Sequence, residues 1–175
     1  MIRLLFVCHG NICRSPMAEF VAKDLAHFNG IEDDVYVESA ATTDDEIWGG
    51  RGNPIYDPAL DELLKHGIGT KDNELGVHEK RARKVLGSDY RKFDLIIGMD
   101  RENAGDLRFV FGGDPYHKVK SMLDWTDHPR AVSDPWFTRD FEAAWDDIAE
   151  GCVAMMKALF PETKIRVPER YGMTQ

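Results

Sequence analysis

The chain is poor in the residues that build several kinds of protein. Its 175 residues hold only three cysteines, two in one short stretch and the third far away. No disulfide framework of the kind that staples small secreted domains can form from them, and no cysteine–histidine spacing matches a zinc site. Positive charge is also scarce: 22 Lys and Arg stand against 31 Asp and Glu, a formal net charge of −9. A nucleic-acid binder needs a clustered basic surface that displaces counterions from phosphates, and this chain has no surplus from which to build one. No apolar run approaches the length of a membrane span, and the first residues lack the charged lead, apolar core and small-residue cleavage site of a secretory signal. The length suits one well-buried core. The expectation is a single domain over residues 1–175, soluble and cytoplasmic, with no membrane or nucleic-acid partner.

What is present begins at the N-terminus. An apolar run over 2–7 leads into Cys8-His9-Gly10-Asn11-Ile12-Cys13-Arg14-Ser15-Pro16, and a helical pattern follows at once. Strand, short loop and helix start in that order make an anion site, because successive backbone N–H groups converge on one point with the helix dipole behind them. Cys8 ends the strand at the floor of this loop, and a thiol beside a helix N-terminus and an arginine is placed to act as a nucleophile. Arg14 offers a planar fork that can hold two phosphoryl oxygens at once, which lysine cannot do. Ser15 is expected to cap the helix and Pro16 to occupy its first position. A bare Cys-x5-Arg arises often by chance, but the strand end, the Gly-Asn pair and the Ser-Pro helix start are separate requirements, all met. Together they point to phosphate-ester chemistry. Two cysteines in one loop also allow a reversible Cys8–Cys13 disulfide.

The rest of the chain alternates. Strands are expected over 2–7, 35–38, 93–99 and 118–122, and helices over 17–28, 58–66, 101–109 and 141–160. This is a βαβα order and implies an α/β domain with a parallel sheet, in which ligands bind beyond the carboxyl ends of the strands, where Cys8 falls. Residues 49–53 and 67–76 read as loops, and the polar tail from 161 as mobile toward its end. The basic cluster Lys80, Arg81, Arg83 and Lys84 reads as a solvated helix face, with steering of acidic substrates as the alternative.

Cleavage of a phosphate monoester by a thiol also needs an acid for the departing oxygen. Asp134, in Val132-Ser133-Asp134-Pro135-Trp136-Phe137, has a backbone restrained by the following proline and aromatic neighbours that can wall a substrate ring and exclude water. Asp-Pro is equally a turn signal.

Here the chain resembles the low-molecular-weight protein tyrosine phosphatases. Residues Cys8 to Pro16 match the N-terminal signature of that family, and Ser133-Asp134-Pro135-Trp136 stands where it has its acid motif. Phe6-Val7, Met17-Ala18-Glu19, Ser39-Ala40, His66-Gly67-Ile68 and Phe93-Asp94-Leu95-Ile96-Ile97-Gly98-Met99-Asp100 resemble further landmarks in the same order. The resemblance implies a four-stranded parallel sheet flanked by helices, with the phosphate-binding loop after the first strand. It makes Cys8 the phosphorylated nucleophile, Arg14 the phosphoryl clamp and Asp134 the acid and later base, with His9, Gly10, Asn11, Ile12, Cys13, Ser15 and Trp136 about the substrate and no metal or cofactor. Asn11 is then a loop brace and Ser15 a hydrogen-bond partner of the Cys8 thiolate. Ser39 and a histidine belong to the same network, and His66 and His78 both fit the histidine's place. The implied partners are a phosphotyrosine protein or small aryl phosphate, with inorganic phosphate as product and inhibitor, and the protein is expected to be a monomer.

The chain also departs from that family. Trp136 and Phe137 stand where many members have two tyrosines, His9 replaces a residue that is often apolar, and Trp48 lies in a segment that in the family borders the pocket but here carries an insertion. Three alternatives remain. Thiol-dependent arsenate reduction needs a relay of further cysteines, and only Cys152 lies outside the loop. Protein-arginine phosphatases have a small polar residue where this chain has Ile12. A phosphate-binding regulator needs neither nucleophile nor acid.

Overall fold

The computed structural model describes residues 1–173. The elements in chain order are β1 (Ile2–Cys8), α1 (Arg14–Asn29), β2 (Val35–Ala41), β3 (Ile47–Trp48), β4 (Arg51–Gly52), α2 (Asp57–Lys65), α3 (Asp89–Lys92), β5 (Leu95–Gly98), α4 (Arg101–Phe111), β6 (Val119–Ser121), α5 (Pro135–Thr138) and α6 (Phe141–Leu159), with a 3-10 turn at Glu169–Tyr171. The main sheet has the order β2-β1-β5-β6 and is parallel throughout. A strand inside such a sheet is covered on both faces, which is why β1 is an unbroken apolar run. Its side chains alternate between two cores. Leu4 and Phe6 pack with Met17, Phe20 and Leu25 of α1 and Trp145 and Ile148 of α6, while Leu5 and Val7 pack with Val85, Phe93, Ile96 and Leu107 on the other face. The fold class is the one expected from the sequence, a four-stranded parallel sheet flanked by helices.

Several local expectations change. Segment 49–53 is part of a hairpin rather than an open loop: Trp48 pairs with Arg51 across Gly49 and Gly50, whose φ values of 59° and 78° suit a two-residue turn that side-chain-bearing residues enter with strain. The hairpin lies close against residue 82, where a Cβ on Gly52 would come within 1.9 Å of the Ala82 carbonyl oxygen. The basic cluster is not helical. Lys84 forms an isolated parallel bridge with Ala41, and in this extended segment Lys80 and Arg83 meet carboxylates. Residues 161–173 pack against α1: Ile165 and Tyr171 are buried, Tyr171 donates to Asp24 Oδ2 (2.7 Å), and Arg170 Nη2 lies 2.6 Å from Asp24 Oδ1. The tail expected to be mobile after about 161 is thus packed through these residues, and residues 174–175 lie outside those described.

At the edge of the sheet Glu38 gathers Lys92 (2.5 Å), Arg83 (2.8 Å) and the Tyr36 hydroxyl. Burial pushes its carboxyl up, but hydrogen bonds from Lys92 and Tyr36 and the charge of Arg83 outweigh it and bring it down to about 2 from 4.5. An acid depressed by folding adds stability above its unfolded value, and that contribution is lost as pH falls from about 4.5 toward 2. Thermal denaturation of Glu38→Gln is therefore expected to show a lower Tm than the parent at neutral pH and a shallower decline over that window. Parallel curves would contradict it.

Candidate active site

The site lies where β1 ends. Cys8 closes the strand, and the chain turns through residues 9–13 into α1, with Asn11 in the left-handed conformation at φ 58°. The helix opens at Arg14, so Ser15 is not its cap. Cys13 takes that position without a side-chain hydrogen bond, and the Ser15 hydroxyl lies 3.1 Å from Cys8 Sγ. The Ser15 backbone N–H also points at Cys8 Sγ, at 3.4 Å. A helix start without a side-chain cap keeps its first amides for an anion.

Behind the loop runs a row of hydrogen bonds. Asn11 Nδ2 donates to Ser15 Oγ and to Ser39 Oγ, each at 2.8 Å, while Asn11 Oδ1 accepts from the Arg83 N–H at 3.1 Å. Ser39 Oγ donates in turn to Glu19 Oε2 at 2.6 Å. Neither histidine candidate reaches this row. His66 stacks on Trp145 with ring centroids 3.7 Å apart and meets Glu62 and the Arg170 carbonyl, and His78 meets the Gly69 carbonyl. Lys80 and Glu19 stand there instead, known from the sequence only as one charge of the basic cluster and as part of a landmark.

Arg14 is 4% exposed, and its fork is held by two carboxylates: Nη1 lies 2.7 Å from Asp100 Oδ2 and Nη2 lies 3.0 Å from Asp134 Oδ2. Each of these acids is fixed from its other oxygen. Asp100 Oδ1 caps α4 by accepting from Asn103 N–H (2.8 Å), and Asp134 Oδ1 accepts from Trp136 N–H (3.1 Å). The Asp134 segment is docked on the end of the sheet by a hydrogen bond from Val132 N–H to the Met99 carbonyl. Burial works against charge on Arg14, but Cys8, Asp100 and Asp134 raise its hold on the proton. Asp100 was visible in the sequence only as the last residue of a landmark following the strand over 93–99, without a role of its own, and its hold on Arg14 spans elements far apart in the chain.

These groups open on a cavity of about 300 Å³ lined by residues of the loop, by Asp100 and Asp134, and by Trp136 and Phe137. Ile12, buried, forms part of its wall. Tyr56, which the sequence reading did not single out, braces this wall: its N–H bonds the Ile12 carbonyl, and its ring lies 6.0 Å from that of Trp136. Trp48 is 69% exposed and does not line the cavity; its indole N–H instead bonds the Asp45 carbonyl, and Asp45 and Glu46 face the opening. His9 lies 2.7 Å from Asp45, so its ring is engaged at the rim. Among the described residues, no three His, Cys, Asp or Glu side chains are grouped to hold a metal ion.

A buried arginine fork and a thiol at the mouth of a helix are set together at the carboxyl ends of parallel strands, where ligands bind in open α/β sheets. The sequence pattern of the family described as low molecular weight phosphotyrosine protein phosphatase matches residues 3–165, and the chain belongs to that family. It is 36% identical to the low molecular weight protein-tyrosine-phosphatase YfkJ of Bacillus subtilis, over 94% of this chain and all of that protein. It is 33% identical to the low molecular weight phosphotyrosine protein phosphatase of Gallus gallus, over 88% of this chain and 93% of that one. The crystal structure of YfkJ superposes with a TM-score of 0.81, covering 93% of this chain and 96% of its own.

The three thiols of this chain are all buried. Burial, with Cys8 and Asp134 nearby, pushes the Cys13 thiol up to about 12, and burial alone pushes Cys152 up as well. Treatment of the folded protein with iodoacetamide at pH 7 is expected to leave Cys13 and Cys152 unmodified while Cys8 is alkylated, as read by peptide mass spectrometry. Equal labelling of Cys13 would contradict this.

Proposed function

We propose that this chain hydrolyses phosphotyrosine and related aryl phosphate monoesters through a cysteinyl-phosphate intermediate. The observation that carries the reading is the convergence of Cys8, Arg14 and Asp134 on one cavity, with Arg14 touching the Asp134 carboxylate directly. When a phosphate group enters, Arg14 exchanges a carboxylate for phosphoryl oxygens, and the loop amides and the positive end of α1 hold the remaining charge. The Cys8 thiolate attacks phosphorus, the bond from phosphorus to the phenolic oxygen breaks, and the Asp134 carboxyl gives that oxygen its proton. In the second half Asp134, now a carboxylate, takes a proton from the water that attacks phosphorus. The sulfur–phosphorus bond breaks, the thiolate returns and inorganic phosphate leaves. Phosphate fits the same loop and inhibits.

The substrate follows from the wall. Ile12, Trp136 and the Tyr56 brace make an apolar slot for an aryl ring, and a phenoxide leaves more readily than an alkoxide, so phosphotyrosine is favoured over phosphoserine. Ile12 also favours an aryl ring over phosphoarginine. Cys152, with its thiol 3.7 Å from the Ala18 carbonyl, packs in the core, which disfavours an arsenate-reducing relay. Peroxide would oxidise Cys8 to a sulfenic acid that condenses with the Cys13 thiol, releasing water and sparing Cys8 from irreversible oxidation. The reading takes the enzyme as a cytoplasmic monomer acting without metal or cofactor. No helix among the described residues is long and apolar enough to cross a membrane.

Asp134→Ala is expected to lower kcat by about 10² to 10⁴, the usual contribution of a positioned acid. The loss should be smaller for nitrophenyl phosphate than for phosphotyrosine, because nitrophenoxide needs less help to leave. An equal loss for both substrates would assign Asp134 a structural role and place the acid elsewhere.

A further inference from the structure

The hydrogen-bond row behind the loop has one direction of donation. Asn11 Oδ1 is taken by the Arg83 N–H, so both amide hydrogens of Asn11 go to the two serine oxygens. Each serine has then received a hydrogen bond and has its own proton to give. Ser39 gives its proton to Glu19 Oε2; a Cys8 thiol donates to Ser15 Oγ at 3.1 Å while Ser15 faces the Ala40 carbonyl at 3.4 Å, and once Cys8 is a thiolate the sulfur becomes the nearer acceptor for the Ser15 proton. The row ends on Glu19, which is buried. A buried carboxylate needs a charged or hydrogen-bonding partner.

Lys80 supplies that pairing from the inner side. Its Nζ lies 2.9 Å from Glu19 Oε2, the oxygen that receives the Ser39 hydroxyl, and donates at 3.0 Å to the Ser39 carbonyl. It therefore grips Ser39 both directly, at the backbone, and through the partner of its side chain. Lys23 meets the other oxygen of Glu19 at 2.6 Å from a more exposed position. We propose that Lys80 is a positioning residue of the active site, holding the Glu19 carboxylate and Ser39 in place so that Asn11 and Ser15 present a donor to the Cys8 sulfur. Lys80 touches neither thiol nor substrate. Its side chain is 12% exposed, and burial draws its ammonium down from its ordinary value although Glu19 supports the charge. That placement differs from a surface lysine, whose ion pairs contribute little.

The proposal rests on the role assigned to Cys8, and the two are tested apart. Lys80→Met removes the charge and keeps the length of the side chain, and Lys80→Arg keeps the charge. The readouts are turnover of nitrophenyl phosphate and the rate of iodoacetamide alkylation of Cys8 against pH. For Lys80→Met, kcat is expected to fall about tenfold to a hundredfold with little change in KM, the scale of a small misplacement at the reacting groups. The alkylation midpoint is expected to move up by about one pH unit, and Lys80→Arg should recover most of both effects. If Lys80→Met does not fold, Lys80→Gln, neutral but still able to donate, is expected to show the same midpoint shift. A lowered Tm with an alkylation profile superimposed on the parent would overturn the proposal and leave Lys80 a purely structural residue. Turnover retained in Cys8→Ser would overturn the reading of Cys8 itself.

Discussion

The site depends on keeping one guanidinium charged inside the protein. Arg14 sits in the first turn of α1 with almost no exposure, and a charge so placed must be matched by others. Two carboxylates meet it, one from the end of β5 and one from the segment before α5. Breaking such a buried pair costs about 3–5 kcal/mol, so each acid is tied to the loop by the same interaction that fixes the arginine. The pairing therefore does two jobs. It holds the first helix, the sheet end and the Asp134 segment in register, and it keeps the fork at the wall of the cavity.

The parallel sheet makes this economical in sequence. Because β1 and β5 are neighbours running in the same direction, Cys8 and Asp100 emerge from the same edge, and β2 brings Ser39 beside Asn11. The Arg83 N–H then completes the brace from the extended strip that follows the hairpin. The left-handed Asn11 costs backbone strain, offset here by hydrogen bonds at every polar atom of its side chain.

What could be read from the sequence alone follows the range of the interactions. The β1 run, the loop and the start of α1 are contiguous, so their pattern carries both the local structure and its chemistry. Asp134 was legible because Pro135 and two aromatics surround it. Asp100, Tyr56 and Lys80 were not, since each acts through a partner brought close only by folding. Lys80 is the clearest case: next to Arg81, Arg83 and Lys84 it looks like one charge among several on a wet surface, and only the extended conformation of that segment turns it toward Glu19. The histidine expected there by resemblance is absent for the same reason. His66 is committed to the Trp145 face and His78 to the Gly69 turn, and neither is near Ser39 in the folded chain. The helix cap was misplaced because α1 opens at Arg14, before Ser15, a good cap in isolation whose hydroxyl lies with Asn11 and Cys8.

The central claim is that phosphorus passes through Cys8, and direct capture of that species tests it best. Rapid quenching of the enzyme during turnover of a radiolabelled aryl phosphate, followed by peptide mapping, is expected to place label on the peptide that contains Cys8. The Cys8→Ser protein should bind phosphate, turn over nothing and carry no label. Label on any other residue, or steady turnover without Cys8, would contradict the account.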